Sequence, residues 1–432
     1  MNRRKFLRML LGAGAAAGTF MLDHPFRPMF RLAQAAAGKT LVVIYQRGGC
    51  DGLNTVVPYG DDEYYNLRPT IGIASPDPTN PESALDLDGF FGLHPSLIDF
   101  LPIWLAGDMA ILPTVQYPNA SRSHFDGQHF IESAASMADR ANKGNLDGWL
   151  NRHLATFSQA GQLRAVSFGS SVAQALRGPV SVSSFGDLAR FDLRLNDELE
   201  TALLDRLAPI YGQPLNPDTA YRRLLQESGE TVINNLVVAK SIDAANYEPD
   251  IEADYPGSSY GRQLKQIAQL IKEDVGLEMA TVNIGGWDTH SNQGGGDSGG
   301  RQAQRFQDFA GGILALYTDL GSRMADVIIL SMTEFGRTSK ENGSRGTDHG
   351  NGACWFVIGG GGTVLGGIYG EWPGLAPDNL YRGRYLAHTV DYRDVLGEIL
   401  AEFMGNSNLG VVYTGSESPD SPTDYQPVGF LA

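Results

Sequence analysis

Aspartate and histidine occur close together in three short segments of this 432-residue sequence. Imidazole nitrogen and carboxylate oxygen are the ligands that zinc and manganese prefer, whereas carboxylate-only clusters suit magnesium or calcium. One such pair alone is better explained as a carboxylate that caps a loop beside a hydrogen-bonded imidazole. Three pairs together favour a functional site. The pairs are His124 with Asp126, His290 with Asp288, and His349 with Asp348.

Ser123 is a candidate nucleophile beside His124. It lies where a predicted strand gives way to a predicted helix, whose free N–H groups can bind an anion. A hydroxyl at that position, near a metal ion, suits attack on a phosphoryl or sulfuryl centre. The alternative is that Ser121 or Ser123 only caps the helix. Arg337 and Arg122 could hold substrate oxygens, or they could only fix their own loops.

Near-continuous apolar runs precede these polar segments, as expected for strands that are buried on both faces. The runs alternate with helical patterns, such as the amphipathic stretch from Phe306 to Leu320. Strands that alternate with helices predict an α/β fold with a mostly parallel sheet. The predicted strands are residues 40–45, 109–115, 165–168, 279–284, 327–331 and 355–358.

Ligands of an open α/β sheet bind beyond the carboxyl ends of its strands. Asp51, Asp288 and Glu334 each follow a predicted strand, so we expect them to lie at one edge of the sheet. The stretch from about 185 to 275 is polar and shows no clear strands, which predicts a helical insertion or cap. Cys50 and Cys354 are the two cysteines, and they could form a disulfide or could be two small core residues.

Residues 1–37 have the pattern of a twin-arginine signal peptide. Arg3 and Arg4 precede a short Gly/Ala-rich apolar run, and the small residues 33–37 supply a cleavage site. A membrane anchor is the alternative, but the run is shorter than the roughly 20 apolar residues that a bilayer span needs. We therefore expect the twin-arginine translocase to export the chain to the periplasm or the exterior, with no membrane span after processing.

The formal net charge is −16, and removal of the basic segment 1–37 makes the remaining chain more acidic still. Such a charge argues against nucleic acids and anionic membrane surfaces as partners, since both repel acidic proteins. It is compatible with a protein that binds cations.

Five stretches of the sequence resemble a large family of twin-arginine-exported bacterial proteins. This family is the domain of unknown function 1501, grouped with the alkaline phosphatase and sulfatase superfamily. The resemblance extends over nearly the whole chain after the signal peptide. They are RGGCDGLNTVVPYGDDEYY, SRSHFDGQ, GGWDTH, TEFGRTSKENGSRGTDHG and GGIYGEWPG.

The resemblance implies a three-layer α/β/α sandwich over residues 38–432, with metal-dependent ester hydrolysis as the ancestral chemistry. A metal-ligating Asp ends the first strand in that superfamily, which Asp51 matches, and Ser123 is the nearest counterpart of its nucleophile. The usual Asp-His or Asp-Asn pair after a late strand is Glu334-Phe335 here, so a ring replaces one ligand. Asp348 and His349 are expected to supply what is missing.

These observations predict a divalent metal ion, whether zinc, manganese, magnesium or calcium, and a small anionic ester or polysaccharide-linked substrate. The Asp/His pairs favour a hydrolase of a phosphate or sulfate ester. Phe335 favours the alternative, a non-catalytic envelope or polysaccharide-binding protein on a degenerate phosphatase fold. The predicted metal ligands are Asp51, Asp288, His290, Glu334, Asp348 and His349, and the predicted catalytic residues are Ser123, His124 and Arg337.

Overall fold

The structure is a computed structural model of the chain. It describes residues 38–135, 147–157, 161, 163–190, 197–211, 220–242, 244–413 and 425–432. The predicted signal peptide, residues 1–37, lies outside the described residues. Within those ranges, no helix combines the length and the apolar character needed to cross a membrane.

The strands form a nine-stranded central sheet and a separate three-stranded sheet. The six predicted strands all occur in the central sheet. In chain order the strands are β1 (Thr40–Arg47), β2 (Val56–Val57), β3 (Leu85–Asp86), β4 (Gly92–Leu93), β5 (Met109–Gln116), β6 (Ala165–Phe168), β7 (Ser183–Phe185), β8 (Met279–Gly285), β9 (Val327–Met332), β10 (Ala353–Ile358), β11 (Gly367–Ile368) and β12 (Val390–Asp391).

The order of the central sheet is β11-β5-β10-β9-β1-β8-β6-β7, and β12 also pairs with β5. β10 runs antiparallel to both of its neighbours, β5 and β9, and the other pairings in this sheet are parallel. The prediction of a mostly parallel sheet is therefore confirmed. The small sheet has the order β2-β4-β3 and is antiparallel.

Helices cover both faces of the central sheet. The α-helices are α1 (Gly52–Thr55), α2 (Asp62–Leu67), α3 (Leu101–Leu105), α4 (His124–Glu132), α5 (Trp149–Thr156), α6 (Asp197–Tyr211), α7 (Ala220–Ser241), α8 (Ser259–Lys272), α9 (Arg301–Leu320), α10 (Tyr392–Glu398) and α11 (Leu409–Tyr413). Short 3-10 or π turns occur at Pro95–Phe100, Gln174–Leu176, Leu188–Arg190, Ala244–Asn246, Gly321–Asp326, Pro377–Asn379 and Ile399–Phe403.

Alternation along β1 explains why two helical layers form. Val42 and Ile44 face a core shared with α8 and α9, whereas Leu41, Val43 and Tyr45 face a core shared with α4, α5 and α10. Side chains of successive strand residues point to opposite faces, so an apolar run must be covered on both sides. The predicted three-layer α/β/α sandwich is confirmed.

The stretch from 185 to 275 contains α6, α7 and α8. α6 contacts α7, and α8 packs against α9 and β8 as part of one helical layer. Cys50 and Cys354 are both buried and are not joined by a disulfide.

The carboxyl ends of β1, β8 and β9 lie side by side, because these strands are parallel neighbours. β10 runs the other way, so its amino end, which follows His349, lies at the same edge. The connection from β5 to α4 arrives there as well, since Val115 at the end of β5 pairs with Ala353 at the start of β10. Four polar loops therefore meet at one edge of the sheet.

Candidate metal centre

Three imidazoles surround the Asp288 carboxylate at this edge. His290 Nε2 lies 3.0 Å and His349 Nε2 lies 3.2 Å from Asp288 Oδ1, and His124 Nε2 lies 3.4 Å from Asp288 Oδ2. The Nε2 atoms of His290 and His349 are 3.2 Å apart. We call these four residues the histidine–aspartate cluster. Ligand atoms of His124, Asp288 and His349 all lie within 4.8 Å of one another.

The Nδ1 atom of each imidazole lies beside an oxygen acceptor outside the cluster. His124 Nδ1 is 2.7 Å from Glu334 Oε1, and His290 Nδ1 is 3.0 Å from Asp348 Oδ1. His349 Nδ1 is 2.8 Å from the backbone carbonyl oxygen of Arg122. In the tautomer that carries the proton on Nδ1, each ring donates to its outside oxygen, whereas in the other tautomer Nε2 would donate to Asp288; metal binding through Nε2 requires the first. The lone pair of each ring then lies on Nε2 and faces the cluster.

This arrangement places acceptor atoms against one another. Bare Nε2 lone pairs repel each other and the Asp288 carboxylate, and a proton or a metal ion between them removes the repulsion. His124 Nε2 is buried and makes no hydrogen bond of good geometry among the described residues, its contact with Asp288 Oδ2 being 3.4 Å long, which is costly for a polar atom. The three mutually close ligand atoms of His124, Asp288 and His349, with His290 Nε2 beside the last two, suit a zinc-type ion. The residues present therefore fit a divalent transition metal.

The ionisation of Asp288 and His349 is also suited to metal binding. Burial acts to raise the pKa of Asp288, but the hydrogen bond and the charge of Arg337 outweigh burial and hold that pKa below its ordinary value. Burial lowers the pKa of His349. Both effects favour an ionised carboxylate and a neutral imidazole, which are the forms that bind metal ions. The hydrogen bond with Glu334 raises the pKa of His124, so a metal ion would displace a proton from that ring.

Residues 108–410 match the model of a family described as a protein of unknown function, DUF1501. The chain belongs to the DUF1501 family. This confirms the predicted family. No curated protein matches the chain.

A search of solved structures found a likeness to the crystal structure of the lipoteichoic acid synthase LtaP from Listeria monocytogenes. It covers 98% of this chain and 81% of LtaP, at 8% sequence identity and a TM-score of 0.36. A TM-score this low does not bear on function.

Glu334, predicted as a metal ligand, lies behind His124 instead. Its Oε1 atom accepts hydrogen bonds from the Gly48 N–H and from Gln128 Nε2, each at 2.9 Å. Burial acts to raise the pKa of Glu334, but the hydrogen bonds from His124 and Gln128 hold it below its ordinary value. A carboxylate that orients a histidine ligand in this way is a common partner of metal sites. The i, i+4 spacing of His124 and Gln128 is a sequence signal that could have revealed this role.

Asp348, also predicted as a metal ligand, lies outside the cluster. Its carboxylate orients His290 and accepts a hydrogen bond from Arg384 at 3.2 Å. Arg337, predicted to be catalytic, is buried. Its Nη2 atom donates a hydrogen bond to Asp288 Oδ1 at 2.7 Å. Its guanidinium also donates to the carbonyl oxygens of Gly49 and Trp287 at 2.7 and 2.9 Å. These contacts give Arg337 the loop-fixing role that the sequence left open.

The Phe335 ring packs against two imidazoles of the cluster. Its ring centroid lies 5.0 Å from that of His124 and 4.8 Å from that of His349. The close approach of Gly49, whose φ is +69°, makes room for it, since a Cβ there would lie 2.5 Å from the Phe335 ring. The ring thus restricts two imidazoles without binding a metal ion itself.

Asp51 does not join the cluster, which corrects its predicted role as a metal ligand. Both of its oxygens accept from Arg68, at 2.6 and 2.9 Å, and the pair is buried. A carboxylate whose two oxygens face a guanidinium has little capacity left for a cation. Arg68 comes 17 positions later and outside the quoted motifs, so no local pattern indicated the pair.

Gln293 connects the Asp51–Arg68 pair to the cluster. Its Nε2 donates to Asp51 Oδ2 at 2.6 Å, and its Oε1 accepts from the hydroxyls of Thr289 and Thr347, each at 2.8 Å. Thr289 lies between Asp288 and His290, and Thr347 precedes Asp348 and His349. The buried side-chain amide of Gln293 therefore joins, by hydrogen bonds, the two loops that carry most of the cluster. Sequence reasoning missed Gln293, which lies at the start of a glycine-rich loop.

We expect the Asp51→Asn variant to lose stability and to keep its metal ion. The substitution leaves the Arg68 guanidinium buried without its counter-charge, which costs about 3–5 kcal/mol of unfolding free energy. Denaturant unfolding and metal analysis measure the two effects. The control is Asp274→Asn, which breaks the exposed pair with Arg323 and costs less than about 1 kcal/mol. Metal loss from Asp51→Asn without destabilisation would restore Asp51 as a ligand.

Ser123 and Ser121 differ in what their hydroxyls contact. Ser123 is exposed at the N-cap of α4, and its side chain makes no capping hydrogen bond. Ser121 Oγ accepts the Ser123 N–H at 3.2 Å and lies 3.4 Å from Asp126 Oδ2. The Ser121 hydroxyl therefore closes a local turn ahead of α4, and the Ser123 hydroxyl makes no capping hydrogen bond.

Proposed function

We propose that this DUF1501 chain is a metal-dependent hydrolase of a phosphate or sulfate ester. One observation carries the proposal: three imidazoles have their Nδ1 atoms bound to outside acceptors and turn their Nε2 atoms toward one carboxylate. This arrangement suits a cation. It also lies beyond the carboxyl ends of the parallel strands, where ligands of such sheets bind.

His124, His290, His349 and Asp288 would hold the ion. A divalent metal ion there would supply a Lewis acid that polarises an oxygen of the ester. Three imidazoles and one carboxylate favour zinc or manganese over magnesium and calcium, which prefer oxygen ligands. Glu334, the Asp348 carboxylate and the Arg122 carbonyl keep the imidazoles in one orientation, and Arg337 keeps the Asp288 carboxylate ionised.

Ser123 is the proposed nucleophile. It precedes His124, so its backbone position is fixed by a residue of the cluster, and its hydroxyl is exposed and not used for capping. A serine in this setting could attack a phosphoryl or sulfuryl centre, displace the alcohol of the substrate and form a covalent serine ester. Water would then cleave that ester, release phosphate or sulfate and restore the hydroxyl.

A panel of aryl phosphate monoesters, diesters and sulfates tests the proposal. We expect turnover of at least one class by protein loaded with zinc or manganese, and none after chelation. Asp288→Asn should be inactive, and Asp274→Asn, which alters a remote exposed carboxylate, should be fully active. If no ester is turned over with zinc, manganese, magnesium or calcium, the alternative of a non-catalytic binding protein is preferred.

We also propose that the chain works outside the cytoplasm, in the periplasm or beyond, after export by the twin-arginine translocase. The basis is the sequence of residues 1–37. We expect the double substitution Arg3→Lys with Arg4→Lys to leave unprocessed precursor in the cytoplasm, since the paired arginines are recognised by a receptor and not merely as charge. Cell fractionation measures this. Normal processing of the double variant would refute the proposed route.

A further inference from the structure

Two arginines lie beside the histidine–aspartate cluster, and the guanidinium groups of both lie over the same aromatic ring. The Arg122 guanidinium lies 4.8 Å from the ring centroid of Tyr385, and that of Arg384 lies 5.7 Å from it. Both residues are tied to the cluster by other atoms. The Arg122 carbonyl binds His349, and the Arg384 side chain binds Asp348, which orients His290. We call Arg122 and Arg384 the arginine rim.

The backbone holds the arginine rim in place. Tyr385 forms antiparallel bridges with Thr338 and with Tyr381, and the Ser339 N–H donates to the Arg384 carbonyl oxygen at 3.3 Å. Thr338 follows Arg337, the residue that binds Asp288. The rim and the cluster are therefore parts of one hydrogen-bonded loop assembly, which fixes the backbone from which both guanidinium groups extend.

Within the described ranges, no carboxylate pairs with the Arg122 guanidinium, although the chain carries a net charge of −16. Stacking on an aromatic ring occupies the face of a guanidinium and leaves the N–H donors at its edge available. Those donors match the paired oxygens of a carboxylate, phosphate or sulfate group.

We infer that the arginine rim binds a second anionic group of the substrate, separate from the ester group taken by the metal centre. This inference rests on the proposed function. It narrows the substrate to esters that carry a further carboxylate, phosphate or sulfate, such as acidic or multiply phosphorylated or sulfated compounds. Arg337 cannot take this role, because its donors are already used by Asp288 and backbone carbonyls.

Binding of non-hydrolysable phosphonates to the zinc-loaded chain tests the inference. The probes are phenylphosphonate and its 3-carboxy and 4-carboxy derivatives, which add one anionic group at two spacings. The key variant is Arg122→Gln, because it removes the guanidinium and keeps the backbone carbonyl that binds His349. Arg384→Gln is a second variant, and Arg262→Gln, at an exposed position on α8, is the matched control. Calorimetry gives the affinities, and metal analysis verifies the zinc content of each variant.

In the wild type and in Arg262→Gln, we expect at least one carboxylated probe to bind on the order of tenfold more tightly than phenylphosphonate. Arg122→Gln should lose this advantage and bind phenylphosphonate as the wild type does, and Arg384→Gln should lose the advantage as well. Equal weakening of all three probes by Arg122→Gln would show that the guanidinium serves the reacting group, and would overturn the inference. So would the lack of any advantage in the wild type. Failure of phenylphosphonate alone to bind the zinc-loaded wild type would count against the proposed function.

Discussion

Replacement of Ser123 by alanine should abolish ester turnover while the protein keeps its fold and its metal ion. Loss of a nucleophile typically lowers the rate by several orders of magnitude, which corresponds to more than about 4 kcal/mol of activation free energy. The cost in stability should be below about 0.5 kcal/mol, because the residue is exposed and its hydroxyl caps nothing. Steady-state kinetics on the best ester of the panel, together with metal analysis, measure the two effects.

Ser121→Ala is the matched control for this prediction. The Ser121 hydroxyl accepts the Ser123 N–H, so its removal should cost about 1 kcal/mol of stability and leave most of the turnover. The reverse result, activity in Ser123→Ala and none in Ser121→Ala, would move the nucleophile two positions back. Full activity in both variants would show that no serine of this loop attacks the ester.

Chelation should lower the melting temperature of the wild type. A metal ion that binds only the native state stabilises it by mass action, by about 4 kcal/mol when the free ion is 1,000-fold above its dissociation constant. His349→Ala and Asp288→Asn should show a much smaller effect of the chelator, because each removes a ligand. Asp51→Asn should melt at a lower temperature but keep the full chelator effect. Differential scanning calorimetry with and without chelator measures all four proteins.

An identical melting temperature of the wild type with and without chelator would contradict this prediction. A chelator effect that disappears in Asp51→Asn but persists in Asp288→Asn would place the ion at the buried Asp51 carboxylate. The melting temperatures of the four proteins therefore show both whether an ion is bound and which carboxylate binds it.

The strands and the layers could be predicted because their signals are local. The run from Leu41 to Tyr45 is apolar at every position, which is typical of a strand covered on both faces. The antiparallel direction of β10 has no such signal. It follows from the path of the chain between β9 and β10, where residues 333–352 turn back at the edge of the sheet. Strand direction is a property of the connection and not of the strand.

The sequence predicted which residues of the candidate site lie at one edge of the sheet. It did not predict which side chain each carboxylate contacts there. Asp288, His290 and His349 could be placed together because each lies close to the end of a buried strand. Their partners were not predictable, because hydrogen-bond geometry decides which carboxylates face the ion and which orient an imidazole. Asp51 and Glu334 have similar positions after β1 and β9. One nevertheless pairs with Arg68 and the other with His124.

Metal analysis joined to X-ray absorption spectroscopy tests the central claim most directly. The protein is purified without chelator, and the number of bound ions per chain and the ligands of the ion are then determined. We expect one transition-metal ion per chain, with imidazole ligands in its coordination shell, and loss of that ion in Asp288→Asn and His349→Ala. A wild-type chain that contains no metal and takes up none on addition of zinc or manganese would contradict the account.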